Sequence, residues 1–385
     1  MDSRLALVSY CERIRPTLGL IPTESSRLGA RKCPMWTSPC LWRGEVHGRT
    51  TAQPMTSLIS LFVPLTVIGI IGAVSGMADP FPVRLECGEG VVTFRLRSKP
   101  VATYRGGPGT LPAGVPEAYR RGGYLHPLVT PGGTIVSADY PKNHLHHHGV
   151  WTAWTHTRFA GRAPDFWNMG QKQGRVEMVQ WLGGREAADG AEIETLHRSV
   201  DLTAESPTTV LLEGWKIRVP ATPPGMPYRI DLTIWQTNVT ELPLALPQYR
   251  YGGLGYRGLD AWDGAAKAHF RTSEGITNRV AGNESRGRWC WIGGAVSQAG
   301  GGEVGGVGAG VAGVVLMAHP SNFRFPESMR IHPTEPFFCW SPQQQGDFTL
   351  APGAVHRMRY RILVADGPPD PDQIEREWAE WSKTP

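Results

Sequence analysis

Through residues 79–385 the apolar side chains recur mainly at every second position, in short runs closed off by Gly, Pro, Asp or Ser. That period places successive side chains on opposite faces of a strand and predicts half-buried β-structure. "VRLECGEGVVTFRLRS" predicts two strands around Gly88-Glu89-Gly90, and "YLHPLVTPGGTIV" a strand, a turn at Pro131-Gly132-Gly133 and a second strand. "RVEMVQWLG", "AEIETLHRSVDLT", "TTVLLEGWKIRV" and "YRIDLTIWQTNV" continue the pattern, and "FTLAPGAVHRMRYRILVADG" predicts two strands about Pro352-Gly353. The glycine-rich stretch 299–313 predicts a loop or hairpin tip, followed by a buried strand in "GVVLMAHP". Only "DPDQIEREWAEWSKT" carries a helical spacing, with Asp370 or Asp372 as cap and Ile374, Trp378 and Trp381 on one face. The expected fold is mostly β: a large antiparallel β-sandwich with a short C-terminal helix, residues 79–385 forming one domain.

Composition supports that reading, since 47 glycines, 33 prolines and 14 tryptophans in 385 residues favour strands and turns over long helices. The net charge of +5 is concentrated at the front. Residues 1–78 hold 8 Lys/Arg and 4 Asp/Glu, which leaves 31 basic and 30 acidic residues in the remainder. No basic stripe interleaved with aromatics is present, so nothing favours nucleic acid as a partner. Residues 55–78 contain an apolar run, Leu58 to Val74, followed by Gly76-Met77-Ala78 before Asp79. This is the layout of an export signal, with an uncleaved anchor as the alternative, and residues 1–54 then form a disordered leader or precede the true start. The expected location is periplasmic or extracellular, without membrane contact beyond that segment. Cys87, Cys290 and Cys339 follow it, an odd number that permits one disulfide at most, and no CxxC pair occurs.

Six ordered blocks carry a resemblance: "YLHPLVTPGG", "DYPKNHLHHHGVWTAW", "DFWNMG", "GLGYRG", "HPSNFRFPESMRI" and "LAPGAVHRMRYRILVADG". Together, over residues 120–382, they resemble the PmoA-like ("methane oxygenase PmoA") family of often exported bacterial proteins. The resemblance implies a β-sandwich of the galactose-mutarotase kind. It does not imply a membrane monooxygenase, because a chain with one apolar run cannot supply the many spans such a subunit needs. The family pattern Asp-His-Pro-His-His-Arg-Gly falls on Asn143 to Gly149, so its three histidines correspond to His144, His146 and His147. Asn143, Leu145 and His148 depart from it, which removes an acid that could orient a histidine and a fixed positive charge.

The stretch "KNHLHHHGVWTAWTH" holds five of the chain's twelve histidines. On an extended strand His144, His146 and His148 would share a face, and with His156 or His319 they could hold a divalent transition metal. Alternatively His144, His146 and His147 act as catalytic acids or bases, with Asp165, Asp260, Asp263, Glu327 or Glu335 as partner. In the mutarotase-like fold that the resemblance implies, His146 or His147 would protonate a sugar ring oxygen. A third use is binding. Trp151 and Trp167 offer flat faces, and His126, Asp165, His319 and Arg324 offer polar groups, for a carbohydrate or sugar derivative. The bland alternatives are packing for the tryptophans, a turn cap for Asp165 and a loop tie for Arg324. Gly252 to Arg257 reads as a glycine-rich turn and not a nucleotide fingerprint, and the absence of GxSxG removes a serine-elbow hydrolase. The expected function is an exported carbohydrate-active protein, an epimerase, lyase or hydrolase. A non-catalytic glycan-binding module and a metal-dependent oxygenase are the alternatives.

Overall fold

The structure, a computed structural model, describes residues 81–107, 110–297 and 310–385. The expected leader, the export signal and most of the glycine-rich stretch lie outside the described residues. Within them the alternating pattern becomes two large antiparallel sheets and a small one. The first runs β1 (Val83–Gly88), β2 (Val91–Leu96), β3 (Lys99–Arg105), β4 (Tyr124–Leu128), β5 (Val150–Ala153), β11 (Gly253–Arg257), β17 (Phe337–Trp340), β16 (Glu327–Ile331), β13 (Arg286–Gly287). The second runs β12 (Ala268–Thr272), β14 (Trp289–Val296), β15 (Gly310–Ala318), β19 (Val355–Asp366), β9 (Tyr228–Asn238), β8 (Thr208–Pro220), β7 (Gly190–Asp201), β6 (Gly174–Ala187). β10 (Leu244–Leu246) pairs with β18 (Phe348–Leu350).

The inner faces of the two large sheets meet in one core, in which Phe94, Val150, Leu254, Tyr256 and Trp340 of the first sheet join Trp215, Ile234, Leu316 and Tyr360 of the second. A polar pin crosses this core beneath β5. Glu213 on β8 accepts hydrogen bonds from Thr152 Oγ1 (2.7 Å), Trp215 Nε1 (2.7 Å) and Gln236 Nε2 (2.5 Å), and Trp154 Nε1 donates to Gln236 Oε1 (2.7 Å). Burial pushes the Glu213 carboxyl up, while these donors pull it back. Such a group tolerates burial only because its acceptor sites are filled.

The far face of the second sheet is covered by the C-terminal helix α2 (Pro371–Trp381), which packs Ile374 and Trp381 on Trp289, Trp291 and Met317. Asp370 caps it by accepting from the N–H groups of Asp372 and Gln373. The only other α-helix among the described residues, α1 (Arg279–Gly282), is a single turn. No helix among the described residues is long and apolar enough to cross a membrane.

The structure corrects two local readings. Gly252 to Arg257 is not a turn: residues 253–257 form β11, a central strand pairing with both β5 and β17. Residues 310–313 of the glycine-rich stretch open β15, paired to β14. Cys290 and Cys339 are both free and buried, so neither uses the other as a disulfide partner.

Candidate active site

Strand alternation gives the first sheet an outer face distinct from the core. On β5, Val150 points into the core, as does Trp154 just past its end, while Trp151 and Ala153 point outward with Tyr124, Trp167, Phe337 and Cys339. The register sets Tyr124, Trp151, Gly255, Cys339 and Arg330 in one cross-strand row. Gly255 is needed there, because a Cβ on it would come within 2.9 Å of both the Trp151 and Trp167 rings. The two indoles lie over the bare backbone with their ring centres 5.1 Å apart.

Above this floor sits the histidine segment, and it is not a strand. Residues 141–149 form consecutive turns, with His144 N–H donating to Pro141 O, His147 N–H to His144 O, and Tyr140 N–H to His147 O. Tyr140 adopts a positive φ of 51° at its entry. The expected alternation of His144, His146 and His148 therefore fails. Three-residue spacing stacks His144 on His147 (centres 4.6 Å, planes 8° apart), and His147 stacks in turn on Phe337 (4.5 Å, 16°). His146 meets both rings edge-on, at 5.4 and 4.6 Å. His148 turns away to Asp139, with Nδ1 2.6 Å from Oδ1, and packs on Tyr124.

A carboxylate completes the group. Glu335 Oε2 lies 3.0 Å from His144 Nδ1, at an angle too oblique for a full hydrogen bond, and 2.6 Å from Arg257 Nη1. Arg257 is wholly buried and also donates from Nη2 to Asp263 Oδ1 (2.8 Å) and Asn143 Oδ1 (3.1 Å). Asn143 Nδ2 closes the network on Glu335 Oε1 (3.1 Å) and Asp263 Oδ2 (3.2 Å). Burial alone would raise the Glu335 carboxyl, but the approach of His144 and the charges of His332 and Arg257 outweigh it and hold it at about 2. Burial, with Glu335 and Asp260 adding to it, pushes Asp263 the other way despite Arg257. Burial, helped by neighbouring positive groups, takes His146 down to about 3 and His147 well below the usual imidazole range, and burial takes His332 down to about 4. At neutral pH the site therefore offers neutral imidazoles at His146, His147 and His332 beside an ionised Glu335. The His144 side chain is 32 % exposed and His147 is closed off.

Residues 91–379 match a family of unknown function, DUF6807. The chain belongs to the DUF6807 family. No curated protein matches it.

In this DUF6807 chain the remaining candidate residues divide. Trp151 and Trp167 are buried and form the floor, so neither presents a face to solvent. Asp165 caps a turn by accepting from the N–H groups of Trp167 and Asn168 (2.8 Å each). It also lines a polar cavity of about 290 Å³ with His156, Asn168, Tyr249 and Tyr251. Tyr251 packs on Trp167 (5.3 Å), so the cavity and the histidines share one floor. His126 bonds Ser137 (2.9 Å), on the Asp139–His148 side of the loop. His319 sits on the far side of the sandwich, against Arg359 and Trp381. Arg324 donates to the carbonyls of Pro342, Gly346 and Asp347. Glu327 is buried in the core with Asn322 and Tyr360, and Asp260 is an outlying neighbour of Arg257 at 3.8 Å. Sequence reasoning did not single out Arg257 or Asn143 as site residues. Arg257 stood at the end of the "GLGYRG" block, where an arginine after alternating apolar residues was the available signal.

Two metal-binding features are present. His144, His147 and Glu335 offer ligand atoms that all lie within 4.8 Å of one another, and the Nδ1 atoms of both imidazoles are buried without a hydrogen-bond partner. Against a ready-made site, ring lone pairs lie in the ring planes, and the two planes are nearly parallel. An ion bound along one would stand out of the plane of the other, so one ring must turn to bind.

Proposed function

We propose that the protein is an exported acid–base enzyme acting on a sugar or sugar derivative, with His144 and Glu335 as its proton-transfer pair. The observation that carries this is the 3.0 Å approach of a part-exposed imidazole to an ionised carboxylate that is also paired with a buried arginine. A carboxylate at Nδ1 fixes the tautomer of an imidazole and stabilises the cation formed when its other nitrogen takes a proton. The oblique contact is of the kind that tightens when substrate excludes water. In this reading His144 removes or delivers a proton at a substrate hydroxyl or adjacent carbon. Glu335 carries the compensating charge, and neutral His146 supplies a hydrogen bond to a substrate oxygen. A sugar is favoured by the resemblance to PmoA-like proteins and by the polar, tyrosine-lined cavity that continues from the histidines.

The test is turnover and affinity measured on a panel of monosaccharides and glycosides, with solvent deuterium exchange followed by NMR. His144→Ala and Glu335→Gln should each lower turnover by about a hundredfold or more, the usual contribution of a positioned acid or base. No turnover on the panel, together with unchanged affinities in both variants, overturns the reading.

A second reading, a metal-dependent enzyme, is favoured by the unpartnered Nδ1 atoms of His144 and His147 beside Glu335. Elemental analysis of protein prepared without chelators decides it. Stoichiometric transition metal that His147→Ala removes would make His144 a ligand and not the base.

A further inference from the structure

The outer face of the first sheet ends, on the side away from Glu335, in two arginines. Arg330 lies on β16 directly opposite Cys339, one strand beyond the tryptophan floor, and donates from Nη1 to Asn283 Oδ1 (3.0 Å). Arg250 lies over the ring of Tyr251 at 5.6 Å, and Tyr251 packs on the same floor through Trp167. Neither arginine forms an ion pair among the described residues, whereas Arg257 holds Glu335 and Asp263 within 3 Å. Arg330 is more than half buried. Burial pushes its guanidinium down, Arg250 pushes it further the same way, and Glu284 and Tyr251 push it back. Arginine cannot shed its charge to escape such a setting. Two like charges drawn together beside an aromatic floor, one of them half out of water, are offset by an anion placed between them.

The histidine end has the opposite character, with Glu335, Asp263 and Asp260 around the single buried charge of Arg257. Between the two ends stand His332, which feels the charge of Arg330 and whose ring centre lies 6.1 Å from that of His144, and the Tyr251 ring. This outer face therefore has an acidic end, where the proposed proton transfer lies, and a basic end.

We infer that Arg330 and Arg250 form an anion anchor, and that the substrate is an acidic saccharide whose carboxylate or sulfate they hold while His144 and Glu335 act on the ring. This rests on the acid–base reading for the chemistry but not for the binding. The opposed ends fix the direction in which the sugar lies, and a neutral sugar would leave both arginines without an ion-pair partner among the described residues.

The test is binding of three matched probes to the full-length protein: methyl glucuronide, methyl glucoside and methyl glucoside 6-sulfate, by calorimetry or NMR titration at low salt. An anionic probe should bind at least about tenfold more tightly than the neutral one, the least a charge-assisted contact should add. The preference should weaken with added salt, fall toward unity in Arg330→Gln and Arg250→Gln, and return in part in Arg330→Lys. Which of the two anionic probes binds better identifies the substituent. Equal binding of charged and neutral probes, no binding of any at millimolar concentration, or a preference untouched by Arg330→Gln overturns the inference. Turnover that depends on His144 without a charge preference refutes the anchor and leaves the acid–base reading standing. A preference that depends on Arg330 without turnover does the reverse.

Discussion

Gly255 permits a direct test of the floor. Its hydrogen faces the outer side of the sheet between two indoles, and a methyl group there would lie 2.9 Å from Trp151 Cζ2 and 2.9 Å from Trp167 Cη2. Carbon atoms rest at roughly 3.5 Å or more, so each ring would have to retreat by roughly 0.6 Å. Neither has room. Trp151 is 0 % and Trp167 1 % exposed, and Trp151 is backed by His147 at 5.3 Å and Phe337 at 6.1 Å. The backbone at 255 is an ordinary strand conformation, so alanine adds no strain of its own and the expected cost is that of overpacking, about 1–3 kcal/mol. Urea unfolding of Gly255→Ala should show a lower midpoint at unchanged slope. Chemical shifts of His144 and His147 should move as the displacement reaches the imidazole stack. Trp167→Phe removes one of the two clashing atoms, so the double variant should lose less than the sum of the single losses, by about 1 kcal/mol of coupling. A Gly255→Ala protein as stable as the parent, with its histidine shifts unmoved, refutes the argument that the floor is rigid and bears on the site.

Four further outcomes are expected. Glu213→Ala strips the acceptor from Thr152, Trp215 and Gln236 at once and should cost about 3 kcal/mol or more, whereas Glu213→Gln, which keeps one acceptor, should cost less; thermal unfolding compares them. Burial takes His197 down to about 3, and His126 and His356 to about 4, so the unfolded chain binds more protons between those values and about 6.5. Stability should therefore fall as pH drops through that window, and His356→Gln should flatten the fall. Glu327, pushed up to about 7 by burial, acts with the opposite sign, losing stability as pH rises from the usual glutamate value toward 7, so Glu327→Gln should steepen the rise with pH in urea-midpoint profiles. Cys339 lies in the floor with its thiol pushed up to about 12 by burial, so a thiol reagent at neutral pH should leave it unmodified until the protein unfolds, as mass spectrometry would show.

The strands were legible because a half-buried strand writes its face into the sequence at every second residue, as in β9 and β19. The C-terminal helix was legible from Asp370 and the spacing of Ile374 and Trp381. β11 was not, because Gly253 is set by its positive φ against the Trp340 carbonyl and Gly255 by the rings above it, and glycine in a strand reads as a turn until its neighbours are known. The histidine cluster was visible as composition, but its geometry was misjudged. The hydrogen bonds from His144 and His147 to carbonyls three residues back replace strand alternation with a turn spacing that no apolar pattern marks. Glu335 was one of five acids that could not be ranked, since its nearness to His144 is created by pairing of distant strands. Arg250 and Arg330 lie 80 positions apart, and only the cross-strand row of Arg330 and the packing of Tyr251 on Trp167 bring them to one face.

β4 and β5 are ladder partners, Tyr124 opposite Trp151 and Leu125 opposite Val150, and everything between residues 129 and 149 is an excursion whose two ends the ladder already holds together. The histidines of the proposed site are thus carried on a detour between paired strands, while Arg257 stands on the frame itself and Glu335 on the link between β16 and β17. Residues 129–138 are woven into that frame, with Val136 in the core and Thr130 and Gly132 bonded to Asp366, so the part open to exchange is the turn segment that follows. A relative with the same sheets and an altered excursion would keep its shape and change its chemistry.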